Sequence, residues 1–286
     1  MLTLLQGKPR ATGLADASRV HLGYAPGGPQ DRLAAARANA LVGNPPQAAL
    51  LEFTLGPVAF EFRQKVAWAM TGAPGEINRG GVRLSMDYQL GAEAGDRVRF
   101  QFHPHLGCRC YLAVAGGFDL ATVRDTAVDF AIGSTRRAPR MLIEPLGWQP
   151  PLSTVRVLPG PEATPEQLAV LLETPWRVHP DSSGVGLRLA GRRLPEVERT
   201  MTSVPVTDGT VQATPDGPFI LLRERGTLGG YPRLATLVDA DVDRAVQFRP
   251  GQTLHFELVT EAAAEQIETT YQARVQQCRE PAATRR

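Results

Sequence analysis

The stretch "LEFTLGPVAFEF", residues 51–62, decides how this chain is read. Leu51, Phe53 and Leu55 alternate with polar residues, Gly56-Pro57 breaks the run, and Val58, Phe60 and Phe62 alternate beyond it. Side chains on a strand alternate between faces, so period two on both sides of a turn dipeptide predicts a hairpin with one buried face. The same texture recurs throughout. With 28 glycines and 24 prolines in 286 residues, the chain is cut into short alternating runs. "GDRVRFQF" (95–102) sets Val98, Phe100 and Phe102 on one face, and "GQTLHFELV" (251–259) does the same with Leu254, Phe256 and Leu258. These two stretches resemble each other and lie in opposite halves, which favours two β-domains over one.

Helices are expected at few places. Asp31 can cap "RLAAARANALVGN", with Gly43 as its stop. In "TPEQLAVLLETPW", Thr164 is the N-cap, Pro165 fits the first turn and Gln167 completes a capping box. A helix is also expected from about Glu261, fraying into "EPAATRR". The join "GWQPPLSTVRVLPGP" is rich in proline and glycine and carries a strand at 155–158, so the domain boundary is placed near Pro151.

Composition excludes several function classes. Hydrophobic residues make up 43%, enough for a sizeable core. The net charge of +2, from 31 basic and 29 acidic residues, offers no electrostatic footprint for nucleic acid. Lys8 and Lys65 are the only lysines, and neither follows a phosphate-cradling glycine loop. No Gly-x-Ser-x-Gly elbow occurs. The start lacks the pattern of a secretory signal, and no apolar run approaches the roughly 18 residues of a membrane span. Three cysteines cannot all pair, which fits a reduced, cytoplasmic chain.

Three stretches carry side chains of interest. "HPHLGCRC" (103–110) holds two histidines and two cysteines that could meet around zinc. The cysteine spacing is shorter than a zinc knuckle, however, and the other reading is a hairpin loop between "VRFQF" and "YLAVAGG". "DADVDRA" (239–245) has the acidic alternation of a calcium loop, but Arg244 stands where its glycine belongs; a solvated turn before a short helix is expected. The pairs Gly116-Gly117 and Gly229-Gly230 allow positive φ or a close backbone approach, and could present N–H groups to an oxyanion.

"YLAVAGGFD", "ANALVGNPPQAALLEFTLGPVAFEF", "VRVLPGPE" and "GGYPRLATLVDADVDRAVQFRPGQTLHFELV" together resemble the KipA-like family. It is also described as allophanate hydrolase subunit 2, the C subunit of 5-oxoprolinase or biotin-dependent carboxyltransferase. The resemblance runs from about Gly23 to Ala264. It implies an all-β fold with a few short helices, in two cyclophilin-like β-barrel domains, residues 1–151 and 152–286, the second with a helical tail. Gly107, Arg109 and Tyr111 match the family's Gly-x-Arg-x-Tyr pattern, with the cysteines at its variable places, so the hairpin reading is preferred and no metal is expected.

The resemblance further implies membership of an ATP-dependent 5-oxoprolinase-like complex that opens a lactam or amide. KipI-like and LamB/YcsF-like proteins, the B and A components of such a complex, would be its partners. ATP would be bound through that complex, with no intrinsic cofactor. The alternatives are a KipA-like regulatory protein without catalysis, and the carboxyltransferase component of a biotin-dependent, urea carboxylase-type system. The implied site comprises Glu224 and Asp31 for proton transfer, with Asn39, Gly116, Gly117, Arg188, Gln212, Thr227, Gly229, Gly230 and Tyr231 for substrate. Arg188 is expected to hold a carboxylate, and the glycine pairs to offer N–H groups.

The chain departs from the family pattern mainly in polar residues. "RDTAV" replaces a Gly-Ser-Arg-Ser-Thr segment. Gly184 stands for an arginine, Glu224 for an aspartate and Gly226 for a glutamine.

Overall fold

A computed structural model describes residues 1–13, 15, 17–119, 129–133, 153–195 and 201–279. The expected boundary at Pro151, the "RDTAV" segment and the terminal "EPAATRR" lie outside the described residues. The chain divides into two compact units. The first comprises Met1–Leu14, Asp31–Pro150 and Ala273–Arg286; the second comprises Ala15–Gln30 and Pro151–Gln272.

The first unit is built from two antiparallel sheets. One contains β1 (Leu2–Gln6), β4 (Val58–Phe62), β6 (Gly75–Arg79), β7 (Val82–Leu84), β9 (Arg97–Phe102) and β11 (Asp129–Phe130), in the order β11-β1-β4-β9-β6-β7. The other contains β2 (Pro9–Thr12), β3 (Leu50–Thr54), β5 (Val66–Gly72), β8 (Leu90–Ala92) and β10 (Arg109–Val114), in the order β2-β3-β10-β5-β8. The opening stretch is therefore not a hairpin. β3 pairs with β2 and β10, whereas β4 pairs with β1 and β9. Leu55 and Gly56 both take positive φ, 49° and 78°, and pass the chain from one sheet to the other. Burial explains the difference: every residue of β4 and all but the last of β3 are buried, so neither strand keeps a solvated face. "HPHLGCRC" behaves alike, linking β9 of one sheet to β10 of the other.

Within that link, His103 and His105 are exposed, and His103 Nδ1 accepts the amide of His105 at 3.2 Å. Cys108 and Cys110 are buried. Burial, reinforced by the nearby Glu52 carboxylate and Cys108, pushes the Cys110 thiol well above its ordinary pKa. Among the described residues no group of three or more metal-ligating side chains converges. The Gly-x-Arg-x-Tyr pattern has a structural role: Arg109 lies 3.9 Å from the buried Glu52, and Tyr111 Oη accepts the Asp31 amide at 2.7 Å.

Helix α1 (Arg32–Leu41) begins where Asp31 caps it, Oδ1 accepting the Ala34 amide at 2.9 Å, and stops before Gly43 at φ 71°. It packs on the core of the first unit, where Phe60, Phe62 and Trp68 form edge-on and tilted ring contacts 5.4–5.9 Å apart.

The second unit is a closed barrel: β12 (Thr154–Pro159), β13 (Trp176–Val178), β14 (Gly186–Ala190), β16 (Thr210–Thr214), β17 (Gly217–Leu221), β19 (Arg233–Leu237) and β20 (Thr253–Leu258), in the order β12-β19-β16-β17-β14-β13-β20. The parallel pairing of β12 with β20 closes the ring. Closure leaves the ring no unpaired edge. A separate ribbon joins β15 (Val204–Pro205) to β18 (Leu228–Gly229). Helix α2 (Pro165–Glu173) carries the expected capping box. Helix α3 (Asp239–Ala245) follows β19, and α4 (Glu261–Arg279) ends the described chain. The expectation of a mostly β chain with a few helices holds, although the strands of the first unit fall into two sheets. The matched stretches 95–102 and 251–259 are indeed strands, β9 and β20, but Leu258 is 45% exposed instead of facing a core. No described helix is long and apolar enough to cross a membrane.

Candidate functional site

On the barrel, strand register builds a row of side chains. Arg188 of β14 lies opposite Phe219 of β17, Phe219 opposite Gln212 of β16, and Gln212 opposite Arg233 of β19. Residues paired directly across strands share a face. The neighbouring Leu187, Ile220, Val211 and Leu234 are buried in the barrel core, so the row points outward. The Arg188 guanidinium lies over the Phe219 ring, 5.3 Å from its centroid. Its side chain is 48% exposed, and the carboxylate of Asp216, 4.0 Å away, is 87% exposed. Such a solvated pair holds the guanidinium weakly. Arg233 is instead committed to Glu162, with Nε to Oε2 at 2.7 Å.

Gln212 is buried because the chain around β18 lies against it. A Cβ on Gly229 would sit 2.3 Å from Gln212 Nε2, so a side chain there would displace the Gln212 amide; its φ is not left-handed. Gln212 Nε2 donates to the Tyr231 carbonyl at 3.4 Å, and the Thr227 carbonyl accepts the Val206 amide at 3.1 Å. Gln212, Gly229 and Tyr231 therefore meet, with Thr227 and Gly230 in the same segment. Arg188 stands two strand spacings from Gln212, about 10 Å.

Glu224 sits further along, where the chain leaves β17. Its amide donates to the Gly184 carbonyl at 3.1 Å, in the bend that precedes β14 and Arg188. Gln30, fully buried, is the residue that sequence reasoning missed. Its Nε2 donates to the Gly184 carbonyl at 2.9 Å and to Glu224 Oε1 at 3.3 Å, while its Oε1 accepts the Arg223 amide at 3.4 Å. The residues flanking Glu224 point inward. Arg223 pairs with Asp243 and, at 3.4 Å, with Asp208; Arg225 Nε donates to Asp208 at 2.8 Å; and Tyr271 Oη donates to Asp243.

That network corrects the reading of "DADVDRA" as solvated. Asp241 and Asp243 are buried. Asp241 accepts from the Arg156 amide at 2.7 Å and from its Nε at 2.8 Å, with Arg244 Nη1 at 3.0 Å. Burial alone would push the Asp241 carboxyl up, but these hydrogen bonds outweigh it and hold the group below the ordinary aspartate range.

In the first unit the expected site residues serve the frame. Asp31 caps α1. Asn39 donates to the Ala48 carbonyl at 2.9 Å and accepts from Asn44 at 3.0 Å. The Gly116-Gly117 turn has positive φ at both positions, 92° and 70°, but its amides are engaged: Gly116 N–H donates to Asn44 Oδ1 at 2.8 Å and Gly117 N–H to the Val114 carbonyl at 2.9 Å. Both amide hydrogens of this turn thus have acceptors within the chain. An open hollow of about 390 Å³ on the second unit is lined by Val170, Arg192, Arg193, Leu194 and Pro195, none of them an expected site residue.

The model of the carboxyltransferase domain, subdomains A and B, matches residues 22–136 and 128–258. The chain belongs to this carboxyltransferase family. It is similar to the C subunit of 5-oxoprolinase from Escherichia coli K12, 32% identical over 245 residues that cover 77% of this chain and 78% of that protein. It is also similar to the C subunit of 5-oxoprolinase from Haemophilus influenzae, 29% identical over 286 residues that cover 91% and 92%. The crystal structure of the K. lactis urea amidolyase shares the carboxyltransferase fold, with a TM-score of 0.80 over 98% of this chain at 20% identity. This chain spans only 20% of that one.

Proposed function

We propose that this carboxyltransferase-family chain is one component of an ATP-dependent 5-oxoprolinase-like complex, acting with KipI-like and LamB/YcsF-like partners on a small lactam. The similarity to the C subunit of 5-oxoprolinase over most of both chains supports this reading most strongly. The barrel residues are chemically suited to it. Arg188, loosely held over Phe219 and turned toward Asp216, can capture the substrate carboxylate in a bidentate contact as it arrives; it lies at the other end of β17 from Glu224 and does not hold the same small lactam while the proton moves. Lactam opening breaks the C–N bond, leaves the oxygen of a water in the new carboxylate and adds a proton to the departing nitrogen. Glu224, exposed beyond the end of β17, is the group assigned to that proton. The Gly116-Gly117 turn, its amides already serving Asn44 and Val114, does not fit a phosphate or a ureido oxygen. In this reading no step on this chain is assigned to ATP, which is left to the partners.

The test mixes this chain with its partner proteins, ATP and 5-oxoproline and follows glutamate. Formation of glutamate that depends on this chain is expected. Tight partner binding without turnover would overturn the reading in favour of a regulatory protein. A second reading, a carboxyltransferase component that takes carboxyl groups from a biotin-carrying partner, is favoured by the family description itself. It predicts carboxylation of urea when such a partner is supplied.

A further inference from the structure

We infer that Gln30 is the positioning residue for Glu224, and that Gly184 leaves the space in which the carboxylate is seated. The inference rests on the proton-transfer role proposed for Glu224. A glutamate at an exposed turn samples several rotamers, and ordering it has an entropic cost. Here the ordering is supplied from beneath. Gln30 is fully buried and held at both ends: its Oε1 accepts the Arg223 amide at 3.4 Å and its Nε2 donates to the Gly184 carbonyl at 2.9 Å.

These partners fix the carboxamide's orientation. A flipped amide would set N–H against N–H at Arg223 and oxygen against oxygen at Gly184. The atom that Gln30 turns toward Glu224, 3.3 Å from Oε1, is therefore an N–H donor. Arg223 and Arg225, on either side of Glu224, are buried and tied to Asp243 and Asp208, so the backbone beneath the carboxylate is also fixed. The whole carboxylate lies over the bare Cα of Gly184, where a Cβ would come within 2.4 Å of Oε2, 2.5 Å of Cδ and 2.6 Å of Oε1. Gly184 and Glu224, distant in the chain, are thus in contact.

Gly184→Ala separates seating from folding. The φ of Gly184 is not left-handed, so the backbone accepts alanine, and the clashing group is the flexible end of Glu224. The expected result is a Tm within about 3 °C of the parent, with kcat for glutamate formation in the reconstituted complex reduced at least about tenfold and KM little changed. Unchanged kcat would overturn the inference. A double-mutant cycle with Gln30→Met and Glu224→Gln needs no turnover. Tm shifts that fail to add by about 3 °C support the seating, and additive shifts refute it. If the parent complex makes no glutamate, the functional reading falls, and the cycle alone decides whether Gln30 seats Glu224.

Discussion

Arg188 and Gly75 show how differently two single residues are constrained. Arg188 has a stacking partner and one solvated carboxylate, and nothing buried depends on it. Arg188→Ala is therefore expected to leave the Tm unchanged while raising KM for 5-oxoproline at least about tenfold, the loss of one charge-assisted contact. Steady-state kinetics beside a thermal melt checks both halves, and an unchanged KM would remove Arg188 from the site. Gly75 is the opposite case. A Cβ there would lie 2.4 Å from both the Phe100 ring and the Gln101 carbonyl. Gly75→Ala should cost about 1–3 kcal/mol through overpacking, read as a shift in the urea midpoint at constant m-value. Neither the space at Gly75 nor that at Gly229 is visible in the sequence, because the atoms that fill it come from other strands. Asn44 shows the same limit. Its place before Pro45 says nothing of Gly116, whose amide it accepts.

Local signals determine where the elements lie. Thr164 and Gln167 close the capping box that their spacing predicts, with the Gln167 amide 3.2 Å from Thr164 Oγ1. Thr164→Ala is expected to cost about 1 kcal/mol, measured by urea unfolding; no loss would mean that packing alone holds α2 in place. Strand positions are also legible, since the alternating stretches become β3, β4, β9 and β20, although the burial itself alternates fully only in β9. Strand partners were not. Alternation at 51–62 suggested one buried and one wet face, yet Glu52 and Glu61 are buried too. Each is matched by arginines, Arg10 with Glu52 and Arg97 with Glu61, at 3.0 and 2.8 Å. A polar residue facing a buried ion pair reads in sequence like one facing water.

At the scale of the molecule, buried charge couples stability to pH. Asp241 joins α3 to β12 through Arg156, and its side chain is fully buried. Its folded pKa is depressed, so the unfolded chain takes up the proton first as pH falls. The stabilisation is complete above the unfolded value of about 4 and is lost as pH drops through the lower folded value. Asp241→Asn should therefore cost about 3 kcal/mol at pH 7, with the gap to the parent narrowing below about pH 4. Denaturant titrations of both proteins from pH 7 to pH 2 test this, and a gap independent of pH would exclude Asp241 as its source. Asn39, Asp31 and the first glycine pair, expected in the site, belong to the frame of one unit. Gln212, Gly229 and Tyr231 do converge on the barrel, whereas Arg188 and Glu224 occupy separate points along it.

By itself the sequence determined the β texture, the helix caps and the family, because periodicity, capping and turn residues act within a few positions of one another. Only the tertiary structure decided which strands pair, which carboxylates are buried against arginines, and that Gln30 meets Gly184 and Glu224 from more than 150 positions away. Those outcomes depend on desolvation and on contacts between distant segments, and a chain records neither until it is folded.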